Sequence, residues 1–396
     1  LRKKEPVLKE LLNDIDIRSK VLAVLNKYQI QRLKQYLKGE TESLDYYLKK
    51  VIFDRIILSY SLLLLEPTAQ NEPRRVKTAG LLYELLVEPL EKSLEGKKDI
   101  CIITDGVLGS MPFETLINKE GNYLIEKYNI RYNKSLRLQK IIAQRGYPAS
   151  RNTVIAFGVS EYERFNPEDG QYIVNAEKVA GLVSNSLNTH KSLRDIYRKI
   201  GFVEFNDLHE SMDEVYAIGD IFPDAVVYLN NKATESNLKA LSQNGTLANY
   251  KIVHISAHGI SVPEIPKMSA LVLFQGDNQE DGFLNMVEIA DLKIKADFVS
   301  LSACETGLGK IYSGEGVVSL ADPFLIAGAN SLCVSLWQVD DESTAYFMTE
   351  VYKLVSQKNM SYAQAINEVK RRFISGEASP VWKAPFFWAP FVFYGE

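Results

Sequence analysis

From about residue 100 onward, short apolar runs with the two-residue period of strands alternate with longer segments that carry an apolar residue every three to four positions. This alternation limits the fold more than any other feature. Strands separated by crossover helices pair parallel, and a parallel sheet is stable only when both of its faces are covered. The spacing predicts strands over Ile100–Thr104, Thr153–Gly158, Ala225–Leu229, Lys251–Ser256, Leu271–Phe274, Phe298–Ser302, Ser331–Trp337 and Phe391–Tyr394. Helices are expected between most of them, at Ala176–Leu187, Thr234–Ser242, Gly316–Ala327, Glu342–Ser356 and Tyr362–Phe373.

Residues 1–79 have a different texture. Leu8, Leu11, Leu12 and Ile15, then Leu22, Leu25, Ile30, Leu33 and Leu37, then Leu44, Leu48, Val51 and Ile52 keep helical spacing, with breaks at Gly39 and at Glu66-Pro67. The segment reads as all-helical, and the end of a helical repeat array would look the same. Pro67–Arg75 reads as a linker and Leu81–Leu94 as a further helix. The chain does not begin with Met and is expected to be a fragment or processed product of something longer.

Composition narrows the function classes. A hydrophobic fraction of 46% and a charged fraction of 24% suit a globular protein, and a net charge of −4 provides no general attraction for nucleic-acid backbones. Three cysteines, Cys101, Cys304 and Cys333, are too few and too scattered for a secreted disulfide scaffold, which points to a reducing, cytoplasmic setting. No signal peptide or membrane span is expected, since Ile56–Leu65 is too short and Val317–Val339 is interrupted by Asp322, Pro323, Gly328 and Asn330.

In a parallel sheet, chemistry collects where the carboxyl ends of the strands meet their loops. Two such ends stand out. KIVHISAHG closes on His258-Gly259, where glycine allows the backbone to turn and aim an N–H at a substrate oxygen. DFVSLSACETG runs from buried strand straight into Cys304, followed at once by Glu305, Thr306 and Gly307, so this thiol stands at a polar boundary. Cys101 and Cys333, flanked by apolar neighbours inside strands, read instead as small buried hydrophobes. His254 and His258 lie roughly 13 Å apart along a strand, too far to share one metal ion. No metal or cofactor is expected, and His254 reads as a core histidine. Parallel strands ending at one edge can bring Cys304 and His258 together, and a thiol beside an imidazole is equipped for acyl transfer.

HISAHG and LSACETGLG, then GEGVVSLADPFLIAGANSLCVSLWQVDDEST and APFFWAPFVFYG, together with LLYELLVEPLEKSLEGKKDICIITDGVLGSMPFETLI, resemble the CHAT family of caspase-like cysteine peptidases, relatives of the separases that often follow tetratricopeptide-type helices. The resemblance spans roughly residue 80 to the end. It implies a caspase-like three-layer α/β/α sandwich, with an inactive peptidase-like half at 80–215 and an active half at 216–396, preceded by the helical segment 1–79. It makes Cys304 the nucleophile and His258 the acid/base, with the N–H groups of Gly259 and Cys304 as the oxyanion hole. Asp105-Gly106 would be a turn in the inactive half. One departure is Asp322-Pro323, where relatives carry small or basic residues; a proline inside the expected Gly316–Ala327 helix means that the helix starts there or that its geometry is special.

In SLWQVDDEST, Asp341 and, behind it, Asp340 could line the pocket for the substrate residue before the cut, although either also suits a helix N-cap. Separases resemble this segment and hold arginine in an acidic pocket, so the resemblance implies cleavage after Arg or Lys. The acidic loop Gly276–Gly282 reads as a solvated hairpin tip more readily than as a calcium site. The expected activity is that of an intracellular cysteine endopeptidase acting on a protein substrate and switched by a protein or ligand that binds the N-terminal helices. A catalytically silent adaptor is the competing reading. An acyltransferase ranks last, for want of a glycine-rich phosphate loop.

Overall fold

The computed structural model describes residues 41–162, 196–197, 205–262, 265–276, 279–302, 310–312, 316–318, 320–338 and 340–395, with side chains from residue 53 onward and excluding 310–312 and 316–318. The expected helices over 1–40 and Ala176–Leu187 lie outside the described residues. These residues divide into two compact units, one within Leu1–Lys98 together with Val107–Tyr128, the other Asp99–Gly106 with the described part of Asn129–Glu396.

In the first unit the Thr41–Leu65 helix turns Ile56, Ile57, Tyr60 and Leu64 inward, and Tyr60 donates its hydroxyl to Thr115 Oγ1 at 2.9 Å. The next helix, Glu72–Leu86, begins inside the stretch expected to be linker. Pro73 explains the difference: in the first helical turn its missing N–H has no partner to lose, and its fixed φ already suits a helix. Only residues 66–71 connect the two helices.

The second unit is built on an eight-stranded sheet. Its strands are β1 (Asp99–Ile102), β2 (Asn129–Tyr132), β3 (Asn152–Gly158), β4 (Val226–Leu229), β5 (Tyr250–Ser256), β9 (Phe298–Ser302), β12 (Leu332–Ser335) and β13 (Phe391–Tyr394), in the order β1-β2-β13-β12-β9-β5-β3-β4. Every neighbouring pair is parallel except β12 with β13. In β9 and β12 every residue is buried, and in β5 all but Lys251, so both faces of the central sheet are covered. The fold is thus the α/β class with a mostly parallel sheet that the alternation implies. A three-stranded antiparallel sheet of β6 (His258–Ile260), β7 (Ala270–Val272) and β8 (Phe283–Asn285), and a hairpin of β10 (Lys310–Tyr312) and β11 (Gly316–Val318), lie outside the main sheet.

Two expectations are corrected. Gly316–Val318 is strand, and the helix begins at Ala321, which places Pro323 in its first turn where it is tolerated. Cys101, expected to be buried, is exposed because β1 is an edge strand of the sheet; Cys333, in the centre, is fully buried.

The Ala321–Ala327 helix ends on Gly328 at φ +119°, and a Cβ there would lie 1.9 Å from the Ile294 carbonyl oxygen. The same turn is fixed by Tyr147, whose hydroxyl donates to the Gly328 carbonyl at 2.7 Å, and by Arg145, which donates to the Leu325 and Ala329 carbonyls at 2.8 and 2.7 Å. Gly328→Ala is expected to cost on the order of 2–3 kcal/mol, because it combines a disfavoured φ with a backbone clash in a turn that cannot give way. Urea unfolding measures it; a midpoint matching that of the parent chain would show that this turn relaxes freely. Among the described residues no helix is long and apolar enough to cross a membrane.

Candidate active site

β5 and β9 are neighbours in parallel register, with Val253 opposite Val299, Ile255 opposite Leu301 and Ser256 opposite Ser302. Both therefore finish at the same edge of the sheet. Ser256 stands two positions before His258, and Ser302 two positions before Cys304. Cys304 itself, with its neighbours 303–309, lies outside the described residues.

The chain does not run straight from β5 through Gly259, as KIVHISAHG suggests. It bends at Ala257, and His258 opens the separate strand β6, in which Gly259 lies opposite Leu271. The turn expected at the glycine is therefore made one residue before the histidine. The last ladder bond between the two site strands, Ala257 N–H to the Ser302 carbonyl, has stretched to 3.4 Å.

His258 is held on several sides. Its backbone N–H donates to the Tyr162 hydroxyl at 2.9 Å, and its ring packs against Tyr162 and Phe205, with centroids 4.7 and 5.4 Å away. Nε2 lies 2.7 Å from the Asn206 carbonyl oxygen. A carbonyl can only accept, so Nε2 carries the hydrogen and Nδ1 is the basic nitrogen of the neutral ring. Burial lowers the pKa of this imidazole below the ordinary histidine value, and the Asn206 carbonyl and the Asp207 charge oppose that shift without overcoming it. His258 is thus neutral near pH 7. His254 is a core residue, with no exposed surface and Nδ1 3.0 Å from the Tyr352 hydroxyl.

A cleft opens at this edge, lined among others by Glu210, Glu214, Ser256, Ser302, Asp341 and Thr344. The two acids of SLWQVDDEST have separate positions. Asp340 is the N-cap of the Asp341–Lys358 helix and accepts from the Ser343 N–H through Oδ2 at 3.0 Å. Asp341, one residue later, lines the cleft. Burial raises the pKa of its carboxyl, the carboxylates of Asp340, Glu210 and Glu214 add to the rise, and His209 opposes it. The cleft therefore concentrates negative charge without a cation of its own among these residues.

The sequence reading missed the segment from Asn206 to Glu214. Asn206 supplies the carbonyl for His258; in the His209–Ile221 helix, Ser211 donates its hydroxyl to the Ser256 carbonyl at 3.0 Å, and Glu214 reaches both site strands. A signal was present. Ser211, Glu214, Val215 and Ile218 form the buried face of that helix, so two polar residues occupy an apolar stripe. Elsewhere, Glu235, Glu280 and Glu288 are near enough to one another to share a cation, but the Lys239 ammonium already lies 2.7, 3.0 and 2.8 Å from them. The loop expected to be a solvated tip is tied in by these contacts and by the Gly282 N–H donating to Glu235 at 2.8 Å.

Comparison with known proteins adds the family. No curated protein matches the chain. Among solved structures it is similar to the Arg-specific cysteine proteinase gingipain R, with 11% identity over 84% of this chain and 68% of that one and a TM-score of 0.48. A complex of the pro- and mature domains of the Porphyromonas gingivalis protein gives 10% identity over 83% of this chain and 69% of that one, at 0.44. The separase of the Saccharomyces cerevisiae separase–securin complex gives 13% identity over 99% of this chain but only 22% of that one, at 0.42. The family description CHAT domain matches residues 76–396, a span that contains the whole sheet, the cleft, His258 and Cys304, and the chain belongs to the CHAT domain family.

Proposed function

We propose that this member of a caspase-like peptidase family is a cysteine endopeptidase that cleaves a protein substrate after Arg or Lys, with Cys304 as nucleophile and His258 as acid/base. The observation that carries the reading is the register of β5 with β9, which ends the strands leading to His258 and to Cys304 at one edge beside an acidic cleft. A neutral imidazole with Nδ1 basic suits a general base: Nδ1 takes the thiol proton, Sγ attacks the scissile carbonyl carbon, and the oxyanion is met by the Gly259 and Cys304 N–H groups. The C–N bond then breaks as the imidazolium returns its proton to the leaving amine. Water, deprotonated by the same nitrogen, hydrolyses the thioester. Asp341, with Glu210 behind it, would receive the basic side chain before the cut. The inactive half at 80–215, the active half at 216–396 and control through the N-terminal helices belong to the same proposal.

Selective alkylation tests the dyad. Cys304 is expected to react with iodoacetamide at least tenfold faster than Cys101, although Cys101 is exposed, and buried Cys333 should not react in the folded chain. His258→Ala should remove the advantage of Cys304. Equal labelling of Cys101 and Cys304 in the parent chain would favour a silent adaptor. Co-expression of the chain with candidate protein partners, with Cys304→Ala as control and sequencing of new N-termini, then reads the cleavage preference.

A further inference from the structure

We infer that Glu214 is a positioning residue that ties the strand end leading to the nucleophile to the strand end leading to the acid/base; the inference rests on the peptidase reading above and deepens it. The Glu214 side chain is only 3% exposed, yet it lines the cleft. One of its oxygens, Oε2, accepts from the Ser256 hydroxyl at 2.9 Å and from the Ser302 hydroxyl at 2.9 Å. Those two serines are register partners, so a single carboxylate oxygen bridges β5 and β9 at their last paired residues. It does so where the backbone ladder fades, beside the 3.4 Å bond from Ala257 to Ser302. Two positions beyond each serine stands one member of the dyad.

The carboxylate is itself fixed. Its other oxygen, Oε1, has no aligned hydrogen bond but lies 3.3 Å from His254 Nε2, and His254 is held in turn by the Tyr352 hydroxyl at 3.0 Å. Nothing in packing alone calls for this group. A hydrophobic side chain of similar size in a buried site is often as stable or more so, and on this inference the acid is kept for the geometry it enforces. The segment that carries Glu214 also supplies the Asn206 carbonyl to His258 and the Ser211 hydroxyl to the Ser256 carbonyl, so one helix and its lead set the relative position of both site strands.

Serine variants test the tie with little risk to folding. Ser256→Ala and Ser302→Ala are each expected to lower kcat on an Arg-containing peptide about tenfold to fiftyfold with KM within about twofold, since misplacing reacting groups by a fraction of an ångström has effects of this size. The double variant should lose no more than the larger single loss, because one oxygen serves both hydroxyls. Glu214→Gln, which keeps an acceptor oxygen, should retain activity within about fivefold, whereas Glu214→Ala should lose about a hundredfold. Alkylation of Cys304 by iodoacetamide, which carries no basic group, should slow in the same variants, and amide exchange should quicken at residues 254–258 and 300–302. Parent-like kcat in both serine variants overturns the inference. So does a loss confined to KM or to the preference for Arg with alkylation unchanged, which would make Glu214 a pocket residue. A parent chain that cleaves no peptide overturns the peptidase reading alone, and exchange and alkylation still decide whether Glu214 orders the two strand ends.

Discussion

On the proposed mechanism, His258→Ala is expected to lower kcat/KM by roughly a thousandfold or more, because it would remove the group that takes the thiol proton and later returns it to the leaving amine. The parent chain should show an acid limb in its pH–rate profile below the ordinary histidine value. The sign follows from the site. Burial disfavours the imidazolium, so the ring stays neutral and able to accept a proton to lower pH than a solvent-exposed histidine would; as pH falls further, the ring protonates and the rate falls with it. An acid limb above the ordinary value would instead mean a preformed thiolate–imidazolium pair and would contradict a neutral general base. The same shift bears on stability. The unfolded chain protonates this histidine below about pH 6.5 while the folded chain resists, so the contribution of His258 to stability is full above that pH and is lost as pH falls through the lowered value. Activity and stability should therefore decline in the same direction on the acid side. His258→Ala should flatten the rate limb and remove this part of the stability loss.

Much of this was legible in the sequence, and the misses have physical causes. Strands β5 and β9 declared themselves because a strand covered on both faces must be apolar almost throughout, as FVSLS and YKIVHIS nearly are. The change from an apolar run to polar residues after Ser302, and the glycine after His258, marked the ends of two strands that finish at one edge. Other features depended on neighbours distant in sequence. Cys101 reads as buried from its flanking isoleucines, but its exposure is decided by β1 lying at the edge of the sheet, which no local pattern encodes. Gly316–Val318 is too short to declare itself, and pairing with Lys310–Tyr312 makes it a strand. Glu214 is the clearest case. It is 42 residues from Ser256 and 88 from Ser302, so a polar residue in the apolar stripe of HESMDEVYAIGDI could mark Glu214 as unusual but could not name the two serines it meets. The sequence put Asp341 ahead of Asp340 while leaving either open as an N-cap; the first turn of the Asp341–Lys358 helix separates them, giving Asp340 to the backbone and Asp341 to the cleft.

That separation makes the pair of aspartates a sharp test of specificity. Asp341→Asn is expected to cost about 2 kcal/mol of transition-state binding for a substrate with Arg before the cut, or roughly thirtyfold in kcat/KM, toward the low end for removing one partner of a charge pair because this carboxyl is only half buried. A matched peptide with an uncharged residue in that place should change by less than about threefold, since it never met the charge. Asp340→Asn should have little effect on either peptide or on folding, because asparagine caps a helix about as well as aspartate. Stability should move the other way from activity at Asp341. Its pKa is raised in the folded chain by burial and by the carboxylates of Asp340, Glu210 and Glu214, so its favourable contribution belongs to low pH and disappears as pH rises through the raised value. At neutral pH the ionised group is a strain on the fold, and Asp341→Asn should unfold at the same or a higher temperature than the parent. Loss of Arg cleavage together with unchanged or increased stability is the signature of a charge kept for its ligand. Loss of both together would instead make Asp341 a structural residue of its helix, and the basic preference would then have to come from Glu210 or from residues near Cys304 in the sequence.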